Sequence, residues 1–354
     1  MTETGLEPKL SSTEDALVGE VPEPAGAPAV AAPPGRKQSF RRYVAYRVLA
    51  MLPILFLVHL FAFILIEFVP GDTARTVAGD NATDEQVEII RADLGLDRPL
   101  PARFVDRTVD VLHGDLGESV IIAPGKSIAS IIWEALPVTV SIGLAAIVFA
   151  TMLGVPLGAV AALNRDGPID HLLNAITSLS LALPPFVVGP LLIAVVSIQR
   201  GWLPSGGYQP LSAGFGTWSE YVVLPAVALG LAPAAEVARQ VRGSTVSVME
   251  QAYIRTADAK GLRRSRVVGR HALKNAAIPT ITTLGLLVTR VLGGSVLVEG
   301  VFGINGIGTL TVAAVRQVDV TMVQGIVLVS GVIVLMTNLL VDISYVFFNP
   351  KLRR

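Results

Sequence analysis

Long uncharged stretches separated by charged connections are the main pattern along the chain. Four stretches lack Asp, Glu, Lys and Arg over about the 20 residues, or more, that cross about 30 Å of hydrocarbon. They are 48–66, 135–164, 172–199 and 320–341. Two further stretches are less clear: 221–235 is short and needs Glu236 and Arg239 to complete a crossing, and 276–298 contains Arg290. The pattern therefore predicts an all-α membrane protein with six transmembrane helices.

The composition agrees with a membrane protein. Hydrophobic residues make up 52% of the chain and charged residues only 16%, whereas about a quarter of a soluble domain is charged. The formal net charge is zero, so electrostatics indicate no nucleic-acid partner. The chain has no cysteine, which excludes thiol chemistry, disulfides and cysteine-ligated metal sites.

The distribution of charge predicts the orientation in the membrane. Segment 239–274 holds nine Lys and Arg but only two acids, and the flank of the first span and residues 351–354 are also basic. Segment 70–132 has eleven Asp and Glu against six Lys and Arg. The positive-inside rule then places both termini and 239–274 in the cytoplasm. An even number of spans requires both termini on one side, which agrees with the orientation predicted from the charges.

These observations divide the chain into four parts. Residues 1–38 are rich in Pro and Ala without apolar periodicity, which predicts a disordered cytoplasmic tail. Residues 39–69 form the first transmembrane helix, and 70–132 form an external segment with helices near 84–94 and 103–112. Residues 133–350 form a five-helix transmembrane core that includes a cytoplasmic loop, 239–275.

Enzymatic motifs are absent from the sequence. Pro124 to Ser127 resembles the end of a phosphate-binding loop, but position 120, where that loop needs glycine, is valine. Neither the zinc-protease motif His-Glu-x-x-His nor the serine-hydrolase motif Gly-x-Ser-x-Gly occurs. An ATP-driven transporter would therefore need a separate ATPase subunit.

Several polar or helix-breaking residues lie inside the predicted spans. His59 is either a proton relay or hydrogen-bonded to a neighbour. Arg290, about four turns into its span, contacts a carboxylate of the transported solute or pairs with Glu236 or a partner subunit. Pro184 and Pro185 would break the third span, as a feature of the pathway or as a packing kink.

The helix predicted over 249–260 has a face of mostly small side chains. Ala252, Tyr253, Thr256 and Ala257 recur at helical spacing, which permits close approach by another protein. Gly261 is suited to the left-handed turn that ends a helix. Alternatively, the basic residues of this loop bind anionic lipid head groups.

Motifs spread over residues 41–350 resemble the membrane subunits of ABC importers, specifically the dipeptide/oligopeptide permease family. They are Phe-Val-Pro-Gly-Asp at 68–72, Leu-Gly-Leu-Asp-Arg-Pro-Leu at 94–100, Gly-Asp-Leu-Gly-Glu-Ser at 114–119, Arg-Thr-Ala-Asp-Ala-Lys-Gly-Leu at 255–262, His-Ala-Leu-Lys-Asn-Ala at 271–276 and Glu-Gly-Val-Phe-Gly-Ile-Asn-Gly-Ile-Gly at 299–308. The sequence departs from the family at Asn305, where the family has Pro. It departs again at Arg255, where the general coupling motif has Glu.

The resemblance implies the type I importer permease fold with six transmembrane helices and a cytoplasmic coupling helix. Two related permeases would form the pathway in a bacterial-type cytoplasmic membrane. Two ATPase subunits would bind ATP and Mg, an external binding protein would deliver peptide, and this chain would bind no cofactor and be non-catalytic. The coupling residues it implies are Tyr253, Arg255, Thr256, Ala257, Ala259, Lys260, Gly261, His271 and Leu273. Pro184, Pro185 and Arg290 are the candidates for the substrate pathway.

Other functions remain open at this point. Nickel and glutathione importers share this type of permease. A secondary transporter driven by an ion gradient would show paired intramembrane acids and internal repeats, and a membrane-embedded enzyme would show a convergent catalytic set. The sequence shows neither pattern clearly.

Overall fold

The computed structural model describes residues 40–67, 72–79, 81–93, 95–261 and 273–348. These residues form twelve α-helices and no β-strand. The helices are α1 Phe40–Glu67, α2 Thr73–Ala78, α3 Asp84–Asp93, α4 Leu100–Leu112, α5 Ile128–Leu163, α6 Pro168–Ala182, α7 Pro185–Leu192, α8 Phe215–Met249, α9 Ala252–Ala259, α10 Leu273–Val301, α11 Ile307–Arg316 and α12 Val320–Phe348. A π-helical turn, Ile193–Gln199, continues α7. The all-α prediction is confirmed, and the predicted tail, 1–38, lies outside the described residues.

Five helices are long and apolar enough to cross a membrane. Their apolar segments are Val44–Ile64, Ile128–Leu163, Phe215–Met249, Pro279–Val301 and Val320–Ser344. A bent pair, α6 with α7 and its π-helical turn, adds a sixth span if it crosses as one unit. The two less clear stretches therefore lie in long helices, since α8 continues through Glu236 and Arg239 to Met249.

The third apolar stretch is broken where the sequence predicts a break. α6 and α7 meet at an angle of 100°, and Leu183 between them has an extended backbone with ψ 114°. Proline disfavours helical geometry in the residue before it and cannot donate a backbone hydrogen bond. Pro185 occupies the first turn of α7, a position that proline tolerates.

Glycines allow α5 and α8 to approach closely. A Cβ atom added at Gly154 would lie 2.5 Å from the carbonyl oxygen of Ala234, and one added at Gly158 would overlap the carbonyl oxygen of Ala238. Val237 and Val241 of α8 are buried in this contact. Two glycines four residues apart lie on the same face of a helix, and α8 packs against the face that Gly154 and Gly158 form.

Contacts between α1 and α4 explain the histidine of the first span. His59 is buried, and its Nε2 lies 3.2 Å from Thr108 Oγ1. Because Thr108 donates its own proton to the Phe104 carbonyl, its oxygen accepts from His59. The Phe104 ring also lies against the imidazole. Of the two interpretations of His59, the structure supports hydrogen bonding to a neighbour.

Candidate coupling helix and membrane ion pairs

The short helix α9 lies directly after the long helix α8, at what we call the α9 end of the helices. Its eight residues follow a corner at Glu250 and Gln251. Ile254 is buried and anchors the helix, whereas Tyr253 and Thr256 are exposed. Gly261 has φ +71°, the left-handed conformation that ends a helix at low steric cost for glycine. The arrangement presents a short helix with one buried anchor and an exposed surface.

The structure places the predicted coupling residues as follows. Ala259, Lys260 and Gly261 are exposed at the end of α9. Arg255 and Ala257 belong to α9, and Leu273 is the first residue of α10. His271 lies outside the described residues.

Two ion pairs connect the turn before α6 and the first part of α6 to α8 and the corner that follows it. Arg165 binds Glu250, and this hydrogen bond raises the pKa of Arg165. Asp170 accepts a bidentate pair from Arg242, with Nε to Oδ1 and Nη2 to Oδ2 both at 2.6 Å. We call these two pairs the α6–α8 joint. The joint links the α9 corner to the adjacent helices.

Asp170 is the more enclosed member of the joint. Its side chain is 1% exposed, against 28% for Arg242. It also accepts from the backbone N–H of Asp166 at 3.0 Å and from Asn174 Nδ2 at 2.9 Å. Four donors therefore surround this carboxylate, which is how a buried charge becomes tolerable.

A third ion pair lies in the middle of the long helices. Arg290 of α10 donates from Nη1 to Glu236 Oε2 of α8 at 2.6 Å. The side chains are 65% and 29% exposed, respectively. The structure thus supports one alternative for Arg290, pairing with Glu236. Pro184 and Pro185 form the α6–α7 bend, in elements separate from this pair and from α9.

Besides Asp170, two further buried carboxylates, Glu299 and Asp319, were not singled out by the sequence. Glu299 of α10 accepts from Thr139 Oγ1 at 2.7 Å and from the backbone N–H of Thr309 at 3.0 Å. Thr139 in turn accepts from the N–H of Ile307 at 2.9 Å. These contacts satisfy the free N–H groups at the start of α11, where the helix dipole favours negative charge. The signal available in the sequence was an acid at the end of an apolar stretch, followed by closely spaced glycines.

Asp319 connects the start of α12 to the segment before α5 through hydrogen bonds. It is fully buried and accepts from Ser119 Oγ at 2.6 Å and from the N–H groups of Ile121 and Ile122, both at 3.1 Å. Nearby, Arg107 donates to the Leu116 carbonyl at 2.5 Å, and burial lowers the pKa of this arginine. Both groups therefore hold the segment in place rather than facing solvent.

Comparisons with known proteins identify the family. Residues 154–354 match the family described as binding-protein-dependent transport system inner membrane component, and residues 40–143 match the N-terminal part of such components. The chain belongs to this family. Its members are inner-membrane parts of transport systems that depend on a binding protein, so the chain is a multi-pass inner-membrane permease of the ABC importer class, as predicted.

The similarity to curated relatives extends over most of this chain and nearly all of each relative. A probable peptide ABC transporter permease of Sinorhizobium fredii is 37% identical over 88% of this chain and 99% of its own length. A glutathione transport system permease of Pectobacterium atrosepticum is 38% identical over 88% of this chain and 98% of its own length. Permease subunits of such transporters are generally non-catalytic.

A solved structure shares the fold. The methionine ABC transporter MetNI, in an inward-facing conformation, matches with a TM-score of 0.54 at 15% identity, covering 63% of this chain and 98% of the other. This likeness confirms the fold of an ABC importer membrane subunit. The family membership favours the ABC importer over the secondary transporter and the membrane enzyme.

Proposed function

We propose that this permease forms half of the pathway of an ATP-driven importer for di- and oligopeptides, with a second, related permease as the other half. ATP and Mg bind two partner ATPase subunits, and an external binding protein delivers the peptide. The α9 end faces the cytoplasm. The observation that carries this proposal is α9 itself, a short helix anchored by buried Ile254 with Tyr253, Thr256 and Lys260 exposed for contact.

The coupling role follows from how α9 is attached. α9 joins α8 through the short corner at Glu250, and Glu250 also pairs with Arg165 beyond α5. A displacement of α9 by an ATPase subunit would therefore reach α5, α6 and α8 together through the α6–α8 joint. In this proposal Thr256 and Ala257 form the docking face, and Arg255 and Lys260 contact acidic or polar groups on the ATPase.

The two types of relative support a peptide-like substrate. One is named for peptides and the other for glutathione, which is itself a tripeptide with a γ-linked glutamate. Both ligands carry amide bonds, an ammonium group and free carboxylates. Their identities to this chain are nearly equal, so we propose the shared class, small zwitterionic peptides. Glutathione and nickel serve as competing substrates in the test.

The test uses the full transporter in proteoliposomes, with loaded binding protein outside and ATP inside. Gly261→Pro should abolish uptake of a labelled peptide, because proline cannot adopt the positive φ of Gly261. Gly79→Pro is the matched control, since Gly79 also has positive φ but lies far from α9 in the sequence. Uptake by the Gly261→Pro transporter at the wild-type rate would contradict the coupling assignment, and uptake without ATPase subunits would indicate a secondary transporter.

Docking can also be measured directly. The natural chain has no cysteine, so Thr256→Cys introduces a single thiol on the exposed surface of α9. We expect it to cross-link to a cysteine placed in the groove of an ATPase subunit, whereas Ser219→Cys near the other end of α8 should not. Cross-linking to lipid-directed reagents alone would favour the lipid-binding alternative for this loop.

A further inference from the structure

The ion pair between Arg290 and Glu236 lies at the middle of a membrane span. Arg290 is 11 residues beyond Pro279 in the 23-residue span Pro279–Val301, so it stands about 17 Å along the helix axis. A charged side chain at this depth is strongly unfavourable against lipid, so such groups face protein or a water-filled cavity. Arg290 is nevertheless 65% exposed. The α8–α10 face that carries it therefore faces the pathway or the partner permease.

Other long helices have a different exposed surface at mid-span. Most of their exposed side chains there are apolar and compatible with lipid: Phe56 and Leu57 on α1, Leu144 and Val148 on α5, and Val332 and Met336 on α12. Asn338 on α12 is also exposed but carries no charge. The ion pair is thus a feature of the α8–α10 face rather than of the spans in general.

Polar groups continue from the ion pair towards the α9 end. Glu236, Gln240 and Ser244 recur every four residues along α8 and are half-exposed, and Gln240 Nε2 donates to Ser244 Oγ at 2.9 Å. Half-exposed Thr283 lies two turns before Arg290 on α10. In the opposite direction the exposed positions of α10 are Gly293, Leu297 and Gly300. The ion pair therefore stands at the boundary between a polar and a weakly polar half of this face.

The chemistry of the pair matches a zwitterion. Its contact with Glu236 uses one guanidinium nitrogen, Nη1, and a guanidinium can hold a second carboxylate on its remaining donors. An ammonium group can in turn take the place of Arg290 beside Glu236. When a peptide replaces the internal pair, its carboxylate pairs with Arg290 and its ammonium group pairs with Glu236, so no charge is left unpaired. A solute with only one end charge would leave either Arg290 or Glu236 unpaired.

We propose that Arg290 and Glu236 form a substrate-contact site in the middle of the pathway, where Arg290 binds the carboxylate of a zwitterionic peptide and Glu236 its ammonium group. The inference rests on the proposed peptide-import function and deepens it. It makes a free carboxylate on the peptide a requirement of the permease itself, in addition to any preference of the binding protein.

The test compares trialanine with its C-terminal amide in proteoliposomes that hold the complete transporter. Uptake is measured at saturating concentrations of the loaded binding protein, so that the binding protein's own affinity for each ligand does not set the rate. The wild type should transport trialanine faster than the amide. The double variant Arg290→Gln/Glu236→Gln, which leaves no unpaired charge, should lose at least tenfold in trialanine uptake and transport both ligands at similar rates.

Controls separate this site from a merely structural pair. Arg290→Lys keeps the ion pair but lacks the planar fork, so it should retain part of the preference for the free carboxylate. Arg75→Gln/Asp84→Asn neutralises an exposed pair in the segment before α5 and should behave as the wild type. If the double Gln variant does not assemble, the test rests on Arg290→Lys, whose preference for trialanine over its amide should be weaker than that of the wild type.

Three results would overturn the inference: wild-type uptake of trialanine by the double Gln variant, an unchanged preference in it, or an Arg290→Lys preference equal to that of the wild type. Failure of the proposed function would look different, because the wild-type transporter itself would then show no ATP-dependent uptake of trialanine.

Discussion

Replacement of Asp170 by asparagine tests the joint that links α6 to α8. The change keeps the size of the side chain and one acceptor oxygen but replaces the other oxygen by a donor. If the oxygen stays at Oδ1, the amide faces two donors, Arg242 Nη2 and the backbone N–H of Asp166. The charge that balances Arg242 is lost at the same time.

The size of the effect follows from these contacts. Hydrogen bonds to charged groups contribute about 1.5–3 kcal/mol and neutral ones about 1 kcal/mol, and removal of one partner from a fully buried pair costs about 3–5 kcal/mol. Arg242 is 28% exposed, so water can solvate part of its charge after the change. We therefore expect Asp170→Asn to lower the free energy of unfolding by about 2–4 kcal/mol.

The exposed pair of the same joint provides the comparison. The side chains of Arg165 and Glu250 are 48% and 58% exposed, and exposed pairs contribute about 0–1 kcal/mol. Arg165→Gln should therefore change stability far less than Asp170→Asn. Unfolding of the purified permease by SDS in mixed micelles, followed by tryptophan fluorescence, measures both. Trp218 donates to Ser141 across α8 and α5 at 2.7 Å, so it reports on the neighbouring helix contact.

Equal stability of Asp170→Asn and the wild type would refute this reasoning. It would mean that the negative charge of Asp170 does not strengthen its contacts with the four donors. A loss for Arg165→Gln as large as that for Asp170→Asn would refute the ranking by burial. Uptake measured on the same variants shows whether the joint also transmits movement from α9.

Two further predictions concern helix packing and a buried hydroxyl, and the same SDS titration measures both. Gly158→Ala should destabilise the permease by about 1–3 kcal/mol, because the added Cβ overlaps α8. Gly243 has open space around it, so Gly243→Ala should increase stability by up to about 1 kcal/mol. An increase in stability at both positions would contradict the close contact at Gly158. Thr139→Val should destabilise by about 2–4 kcal/mol, because Glu299 loses one of its hydrogen-bond donors and the N–H of Ile307 loses its acceptor. Thr151→Val, whose hydroxyl bonds only its own helix, should cost less than about 1 kcal/mol, and equal losses would argue against the Glu299 network.

Local patterns predicted much of this permease. Two adjacent prolines predicted the break at Pro184 because proline restricts the residue before it, whatever surrounds it. Gly261 was predicted to end α9 because a left-handed residue at a helix end favours glycine. The pairing of Arg290 was among the predicted alternatives because so few groups at that depth can balance its charge.

What the sequence by itself determined was the class of protein, since long uncharged stretches cannot remain in water and motifs along the chain carry the family resemblance. Only the tertiary structure decided which polar groups meet. Asp170 and Arg242 are 72 residues apart and Thr139 and Glu299 are 160 apart, so no local periodicity connects them. The physical reason is that a buried charge needs several donors from different helices, and helix packing alone determines which donors arrive together.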